Sequence, residues 1–380
     1  MTRARMRPAW AEIDLDAVAG NAASLVALVA PARLCAVVKA DGYGHGAVEV
    51  ARAATAGGAE WLAVALVEEG LELRQAGIGA PILVLSEAPP SALPDAVGAG
   101  LALTVYTAAG IAEAAGEGGR LARRVPVHLK VDTGMHRVGA DPADAPALAG
   151  RIASEPALRF EGLWTHLAVA DEPDDPFTGE QLARFDKVRA ELAGRGLVPE
   201  MVHAANSGGA LLHPAARLDL VRCGISLYGY PPAPGLAGGA DLTPVLGLKA
   251  EVTLVRRLAA GERLSYGLRR PLPADSVVAT VPLGYADGVV RALARAGAEV
   301  LVGGRRCPIA GTVTMDQLMV DCGPDAAVQP GDEVVLLGRQ GSESVTAEEW
   351  ARLLGTISYE VLCGVGPRVD RRYTGGPAPS

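Results

Sequence analysis

Residues 36–46 read AVVKADGYGHG, and how this stretch folds decides the rest. The run 34–38 is apolar and of strand type. It stops on a single Lys39, and the chain then turns through Ala40, Asp41, Gly42, Tyr43 and Gly44. Gly46 follows, and a helical pattern starts near Ala47. A lysine at the carboxyl end of a buried strand costs free energy unless it has a partner or a task. Its amine loses its proton when desolvated and then becomes a nucleophile able to form a Schiff base. The same position also suits a lysine that snorkels out into solvent, and this window alone leaves both readings open.

Working outward, strand-like runs alternate with helical patterns through the first two thirds of the chain. The runs are 34–38, 61–66, 81–86, 101–106, 125–132, 160–168, 201–206 and 218–226. The helical stretches between them include LDAVAGNAASLVALVA, with Asp14 as its cap, and VEEGLELRQAG after Leu66. EQLARFDKVRAELAGRG places Leu182, Phe185, Val188 and Leu192 at helical spacing, with Gly194 as a stop. About eight β–α units in roughly 210 residues predict a (β/α)8 barrel, with a doubly wound sheet as the runner-up. In a barrel the carboxyl ends of the strands face one common site, and Lys39, Lys130, His166, Asn206 and Arg222 all sit at or near such ends. From about Pro244 the pattern changes to strands joined by short Gly- or Pro-containing turns, with one helix, TAEEWARLLG, among them. The predicted organisation is therefore a barrel over 13–243 and a mostly β domain over 244–380. The alternating WAEIDLD lets the opening residues 1–12 join that second domain as a strand.

At 380 residues the chain has room for both domains. Its composition, rich in Ala, Gly, Leu and Val and poor in aromatics, is that of a soluble globular protein. A formal net charge of −8 without a long basic run argues against nucleic acid as partner. The basic pairs Arg123 and Arg124, Arg305 and Arg306, and Arg371 and Arg372 read as solvated surface. Apolar runs are broken by charge or Gly well before spanning length, which predicts no membrane segment and a cytoplasmic protein. The cysteines, Cys35, Cys223, Cys307, Cys322 and Cys363, are widely spaced and show no metal-ligand pattern. They read as small core residues in a reducing compartment.

Two segments suggest an anion site. Asn206, Ser207, Gly208 and Gly209 follow the seventh run, and Arg222, Cys223, Gly224, Ile225 and Ser226 close the eighth. Small residues let backbone N–H groups approach a phosphate, and the loops after strands seven and eight are its usual place in this fold. Each segment is also readable as an ordinary glycine turn. A Schiff-base lysine together with a phosphate site implies pyridoxal 5'-phosphate (PLP). At this point the chain resembles the alanine racemase family. The likeness rests on AVVKADGYGHG, KVDTGMHRVG, THLAVADE, HAANSGG, VRCGISLYG, SYG, VPLGYADG, GTVTMDQLMVD and SYEVLCGVGPRV, which occur in the family's order along nearly the whole chain.

That resemblance implies a set of roles. Lys39 would carry PLP and serve as the base on the D face, and Tyr266 would be the base on the L face. Tyr43, Ser207, Gly224, Ile225 and Tyr359 would hold the phosphate through hydroxyls and backbone N–H groups. Arg222 would face the pyridine nitrogen; a guanidinium only donates, so that nitrogen stays unprotonated. Tyrosine ionises near pH ~10 in water, and a hydrogen-bonded chain running from Tyr266 through His166 to Arg222 would assist it. Arg137 and the N–H of Met315 would bind the substrate carboxylate. Lys130 would be carbamylated and orient Arg137, the alternative being a plain ion pair with Asp132. Tyr285, with Tyr359, would narrow the entrance, Asp171 and Arg291 would line the approach, and Asp316 matches a family residue without a firm role. The resemblance also implies a homodimer with shared active sites, alanine as substrate, and a supply of D-alanine for peptidoglycan. Two positions depart from the pattern: His136 stands where some members have Gly, and Thr312 where an Arg is expected. Other readings are a racemase of the same fold with broader or serine preference and a PLP carrier without catalysis. A decarboxylase of this fold fits less well, because the β domain carries no further carboxylate-rich motif and would leave Tyr266 without a purpose.

Overall fold

The computed structural model describes residues 7–376. The basic opening residues 1–6 and the last four, 377–380, over which the expected ranges 1–12 and 244–380 also run, lie outside the described residues. The chain divides into two compact units. Asp16–Gly42 and Gly46–Thr243 form one; residues up to Leu15, Tyr43–His45 and Pro244–Gly375 form the other.

The chain opens with β1 (Ala9–Asp14) and the helix Leu15–Val29, so Asp14 closes the strand directly before the helix. Eight short parallel strands follow in the first unit: β2 (Arg33–Val37), β3 (Trp61–Val64), β4 (Ile82–Val84), β5 (Ala102–Val105), β6 (Val125–Lys130), β7 (Leu158–Trp164), β8 (Met201–His203) and β9 (Leu220–Cys223). They lie in the order β8, β7, β6, β5, β4, β3, β2, β9, each paired in parallel with its neighbour. No regular ladder joins β8 to β9. Single backbone bonds do, from Asp219 N to Val202 O at 3.1 Å and from Arg222 N to Ala205 O at 3.0 Å, so the sheet is a nearly closed barrel, as the alternation of runs predicts. Most strand residues are buried, because helices cover the outer face and side chains fill the inside.

Several predicted runs outlast their strands. The apolar run 160–168 leaves the ladder at Trp164, and 125–132 leaves it at Lys130. Beyond these points the backbone enters the loops at the barrel mouth: Val131 N and Thr165 N still donate to the carbonyls of Trp164 and His203, while Ala168 N donates to a side chain, Gln181 Oε1, at 2.8 Å. The helix Phe177–Gly194 buries Phe185, Val188 and Leu192, while Leu182 is only half-buried. It ends at Gly194, but the left-handed residue that turns the chain away is Gly196, at φ 71°.

The second unit adds β10 (Leu246–Glu251), β11 (Leu254–Leu258), β12 (Ser276–Val281), β13 (Glu299–Val302), β14 (Arg305–Ala310), β15 (Leu318–Asp321), β16 (Glu333–Gln340), β17 (Glu343–Val345) and β18 (Asp370–Thr374). With β1 they form a ten-stranded sheet in which β1 lies antiparallel to β10 and parallel to β18. Besides the expected helix, Ala347–Leu354, this unit contains the short helices Leu293–Ala296 and Ser358–Cys363.

The basic pairs are not simply solvated. Arg306, on β14, pairs with Glu299, Glu343 and Glu349. Arg371, on β18, donates to the carbonyls of Gly44, Val365, Gly366 and Val369. Arg123 and Arg124 likewise donate to backbone carbonyls, of Gly98 and Leu158. A guanidinium has five N–H donors in a fixed fork and can tie several carbonyls that composition alone would not connect to it. Four cysteines are buried and none is bonded to another, but Cys363 is exposed and is not a core residue.

Candidate active site

The segment after β2 is a left-handed helical turn, Lys39–Gly44. Ala40, Asp41, Gly42, Tyr43 and Gly44 have φ of 52°, 51°, 60°, 53° and 80°. Residues with a Cβ pay roughly 1–2 kcal/mol each for that conformation, so the turn needs anchors. Ala40 N donates to Glu69 Oε1 at 2.6 Å, and Ala47 N to Asp41 Oδ1 at 2.8 Å. Lys39 heads this turn, half-buried, and its side chain makes no hydrogen bond or ion pair among the described residues.

The barrel unit gathers cations at its mouth. Lys39, Arg137 and Arg222 all act electrostatically on Lys130 and on His166. Burial, then Arg137 and Arg222, push the Lys130 amine down to about 7. Lys130 lies 4.5 Å over the Trp164 ring and forms no ion pair with Asp132. The Asp132 carboxylate is turned instead to the N–H groups of Gly134 and His136 and to the His136 ring. His136 itself sits at φ 55°, a conformation that glycine adopts without strain, which is why a glycine is equally at home there. Arg137 is exposed, with no partner among the described residues.

Arg222 is buried at the end of β9. Burial pushes its guanidinium down to about 10, so it stays charged at neutral pH. Nη2 donates to the carbonyls of Thr165 and Ala204, both at 2.9 Å, and only weakly reaches His166 Nδ1 at 3.4 Å. Nη1 donates to His203 Nδ1 at 2.7 Å. The inner leg of the expected chain through His166 is therefore long, and the firm imidazole contact of Arg222 is to His203. Sequence reading missed His203, although a polar residue closing the short run MVH was the signal.

Beside Arg222 lies a set of donors. Ser207 Oγ accepts from Gly224 N at 3.1 Å and Ser226 N at 3.5 Å. The N–H groups of Ser207, Gly208 and Ile225 have no acceptor among the described residues. A Cβ on Gly208 would fall 2.8 Å from the Ala170 carbonyl carbon, so only glycine fits against the segment leading to exposed Asp171. Unclaimed N–H groups, a serine hydroxyl and four cations suit an anionic group such as a phosphate ester. The donor set therefore fits PLP.

The β unit carries the remaining candidates. The rings of Tyr43 and Tyr359 lie 6.2 Å apart, tilted by 44°. Tyr266 is 72 % exposed, and its phenol has no partner among the described residues. Its backbone is pinned: Thr312 Oγ1 donates to Tyr266 O at 2.9 Å, and Ser265 Oγ donates to Thr312 O at 2.7 Å. Ser265, Gly267 and Leu268 have positive φ, so this is a strained turn held by the threonine that departs from the family pattern. Tyr285 N and Ala286 N donate to the carbonyls of Thr314 and Met315, leaving the Met315 N–H without an acceptor among the described residues. Asp316 pairs with Arg368 at 2.7 Å, and Arg291 is exposed without a partner among the described residues.

His128, His166 and His203 are held below the ordinary imidazole value, by burial first in each case, and for His166 and His203 by Arg222 next. Glu161 pulls His128 the other way without outweighing burial. An unfolded chain binds protons on these rings below about pH 6.5, whereas the folded one does not. Above that pH the three leave stability unchanged. Below it stability falls, by up to about 1.4 kcal/mol per pH unit for each ring, until the folded state protonates as well. Denaturant midpoints followed from about pH 7.5 down to 5 should fall accordingly, and a flat profile would contradict neutral burial of these rings.

Comparison with known proteins agrees with this geometry. Residues 13–232 match the family model described as "Alanine racemase, N-terminal domain", and 245–373 match "Alanine racemase, C-terminal domain". A protein from Symbiobacterium thermophilum named alanine racemase is 50 % identical over 373 residues, covering 98 % of this chain and 99 % of that one. One from Thermobifida fusca is 46 % identical, covering 97 % and 98 %. The crystal structure of alanine racemase from D-cycloserine-producing Streptomyces lavendulae has a TM-score of 0.92 at 39 % identity, covering 98 % of each chain. That of alanine racemase from Bacillus anthracis with bound L-Ala-P has a TM-score of 0.90 at 36 % identity, covering 97 % of this chain and 95 % of that one. Among the described residues no helix is long and apolar enough to cross a membrane, and no group of side chains is arranged to hold a metal ion.

Proposed function

Because the chain belongs to the alanine racemase family, we propose that it is a PLP-dependent enzyme interconverting L-alanine and D-alanine by a two-base route. The observation that carries this reading is the cluster of Lys39, Lys130, Arg137 and Arg222 beside unclaimed N–H groups at one barrel mouth. Lys39 holds the cofactor. Ser207, Gly224, Ile225, Tyr43 and Tyr359 take its phosphate, and Arg222 points a charged donor at its ring nitrogen. When bound, PLP supplies an electron sink for the negative charge that develops at Cα. Arg137 and the Met315 N–H fix the substrate carboxylate, which orients the Cα–H bond. Lys130, with its depressed amine, adds CO2 to give a carbamate and release a proton, and the new anion faces Arg137.

From L-alanine, Tyr266 Oη takes the Cα proton on one face and Lys39 Nζ returns a proton on the other; D-alanine runs the reverse. His166 assists Tyr266. Burial and the surrounding cations keep its ring neutral, and the nitrogen turned to Arg222 can only accept, so the other carries the proton. That N–H stabilises the phenolate form of Tyr266 and makes the phenol a better base. Tyr285 narrows the entrance, while Asp171 and Arg291 line the approach. Asp316, paired with Arg368, supports the same rim. The enzyme acts as a homodimer in which Tyr266 and Met315 of one copy complete the site around Lys39 of the other. It works in the cytoplasm and supplies D-alanine for peptidoglycan.

Purified protein with PLP should cancel the optical rotation of L-alanine and show the absorbance band of protein-bound cofactor. Its kcat/KM should be higher for alanine than for serine or lysine. A bound band without loss of rotation would make it a carrier, and a higher kcat/KM for serine would change the substrate.

A further inference from the structure

Arg222 is a buried cation with no carboxylate in ion-pair distance among the described residues. Burying a charge without compensation is costly, so its counter-charge has to arrive by another route. A chain of polar side chains runs away from it through the barrel interior. Nη1 of Arg222 meets His203 Nδ1 at 2.7 Å; His203 Nε2 meets His128 Nδ1 at 3.0 Å; His128 Nε2 meets Glu161 Oε2 at 3.1 Å. Arg159 donates to Glu161 Oε1 at 2.5 Å, and to Glu200 at 2.8 Å. Both imidazoles are fully buried, and Glu161 is 5 % exposed.

The two ends fix the direction of every bond between them. A guanidinium can only donate, so His203 Nδ1 is an acceptor and its proton is on Nε2. That N–H points at His128 Nδ1, which must accept, and the His128 proton is then on Nε2, facing Glu161. A carboxylate can only accept, and the chain closes without a mismatch. Protonating His203 would set an N–H against an N–H. The packing is built for this arrangement. A Cβ on Gly162 would fall 2.0 Å from His128 Nδ1, so a glycine at that point of β7 is what admits the ring. His203 stacks on Trp164 at 5.5 Å and 7°, and the Arg222 guanidinium lies over the same indole at 4.6 Å.

We propose that Glu161 is the counter-charge of Arg222, delivered through His128 and His203 as a one-directional hydrogen-bond wire, and that these three are positioning residues for the donor that faces the cofactor nitrogen. The wire polarises in series: the anion at one end strengthens each N–H along it, and holds the guanidinium in one orientation. This rests on the reading of Arg222 given above.

The test uses holoenzyme carrying 15N-histidine, and separately 15N at the PLP ring nitrogen. In wild type the signals of His128 and His203, assigned by their loss in single His→Asn variants, should both be those of neutral imidazoles with the proton on Nε2 at neutral pH. Glu161→Gln removes the charge and keeps one acceptor for His128; its NH2 then replaces the oxygen that accepts from Arg159, which retains Glu200 as a partner. It should move the PLP ring-nitrogen resonance and lower kcat by about tenfold, with KM for alanine little changed. A protonated ring or an Nδ1–H tautomer at His128 or His203 in wild type overturns the wire, whether or not the variant folds. If Arg222→Ala moves the ring-nitrogen resonance but Glu161→Gln does not, the counter-charge fails while the role of Arg222 stands. If neither moves it, the placement of Arg222 against the cofactor is what fails.

Discussion

Lys39→Ala should lose racemisation by a factor on the order of 10⁴ or more, because under the proposed function it deletes the residue that holds PLP and the base on one face of Cα together. The loss should come without loss of fold. The Lys39 side chain forms no hydrogen bond or ion pair among the described residues, and the left-handed turn that it heads is held by others. Glu69 takes the Ala40 N–H, Asp41 takes the Ala47 N–H, and Val38 O accepts from Gly42 N. The thermal midpoint of the apoprotein should therefore be close to that of wild type, while borohydride treatment of protein mixed with PLP should leave no fixed adduct. A reducible adduct surviving in the variant would assign the cofactor to another lysine, with Lys130 the first to examine, since its amine is already pushed down to about 7.

Tyr266→Phe should divide the two substrates. It removes the phenol proposed to take the proton from L-alanine and leaves Lys39 in place, so exchange of the Cα proton with solvent should fall by about 10²–10⁴ for L-alanine and much less for D-alanine. The turn should survive, since Thr312 and Ser265 hold it through the carbonyls of Tyr266 and Thr312 and not through the ring. Exchange must be measured for each enantiomer alone, because any racemase reaches the same equilibrium. Equal losses would end the two-base reading. The same variant tests the shared site. Mixed with Lys39→Ala under subunit exchange, it should regain activity, since in a heterodimer one site carries both lesions and the other neither. Tagged heterodimers that remain inactive would place both residues of a site in one chain.

The barrel was legible because its strands are short apolar runs that stop on a charged or small residue, and about eight of them favour a closed ring, with an open doubly wound sheet as the runner-up. The ends of the strands were less so. Thr165 and His166 follow directly where β7 leaves the ladder, but a polar pair inside a strand-like run reads equally well as an inward-facing strand residue and its neighbour, so the exchange of a strand partner for the Gln181 side chain at Ala168 was not marked. The β unit hid more. RRCPIA and DRRYT carry charges that read as surface, yet they are β14 and β18, and their arginines are tied to carboxylates or carbonyls. Thr312 looked like a missing charge. Its hydroxyl turns out to fasten the backbone of Tyr266, a contact across 46 residues that no local pattern announces. Glu161 and His128 gave a signal that went unused: an acid and an imidazole in strands of an otherwise apolar barrel need each other.

β1 joins the β sheet between β10 and β18, in register from Trp10 with Lys249 and with Asp370. The ribosome therefore makes this strand about 360 residues before its parallel partner. At roughly 5–20 residues per second, the edge of the Trp10 strand that pairs with β18 waits on the order of 20–70 s, and the edge that pairs with β10 waits about two thirds as long, while the barrel sequence emerges between them. Synthesis order thus separates the two units in time: all the barrel strands emerge between β1 and the strands with which it pairs, so one unit can close before the sheet of the other can.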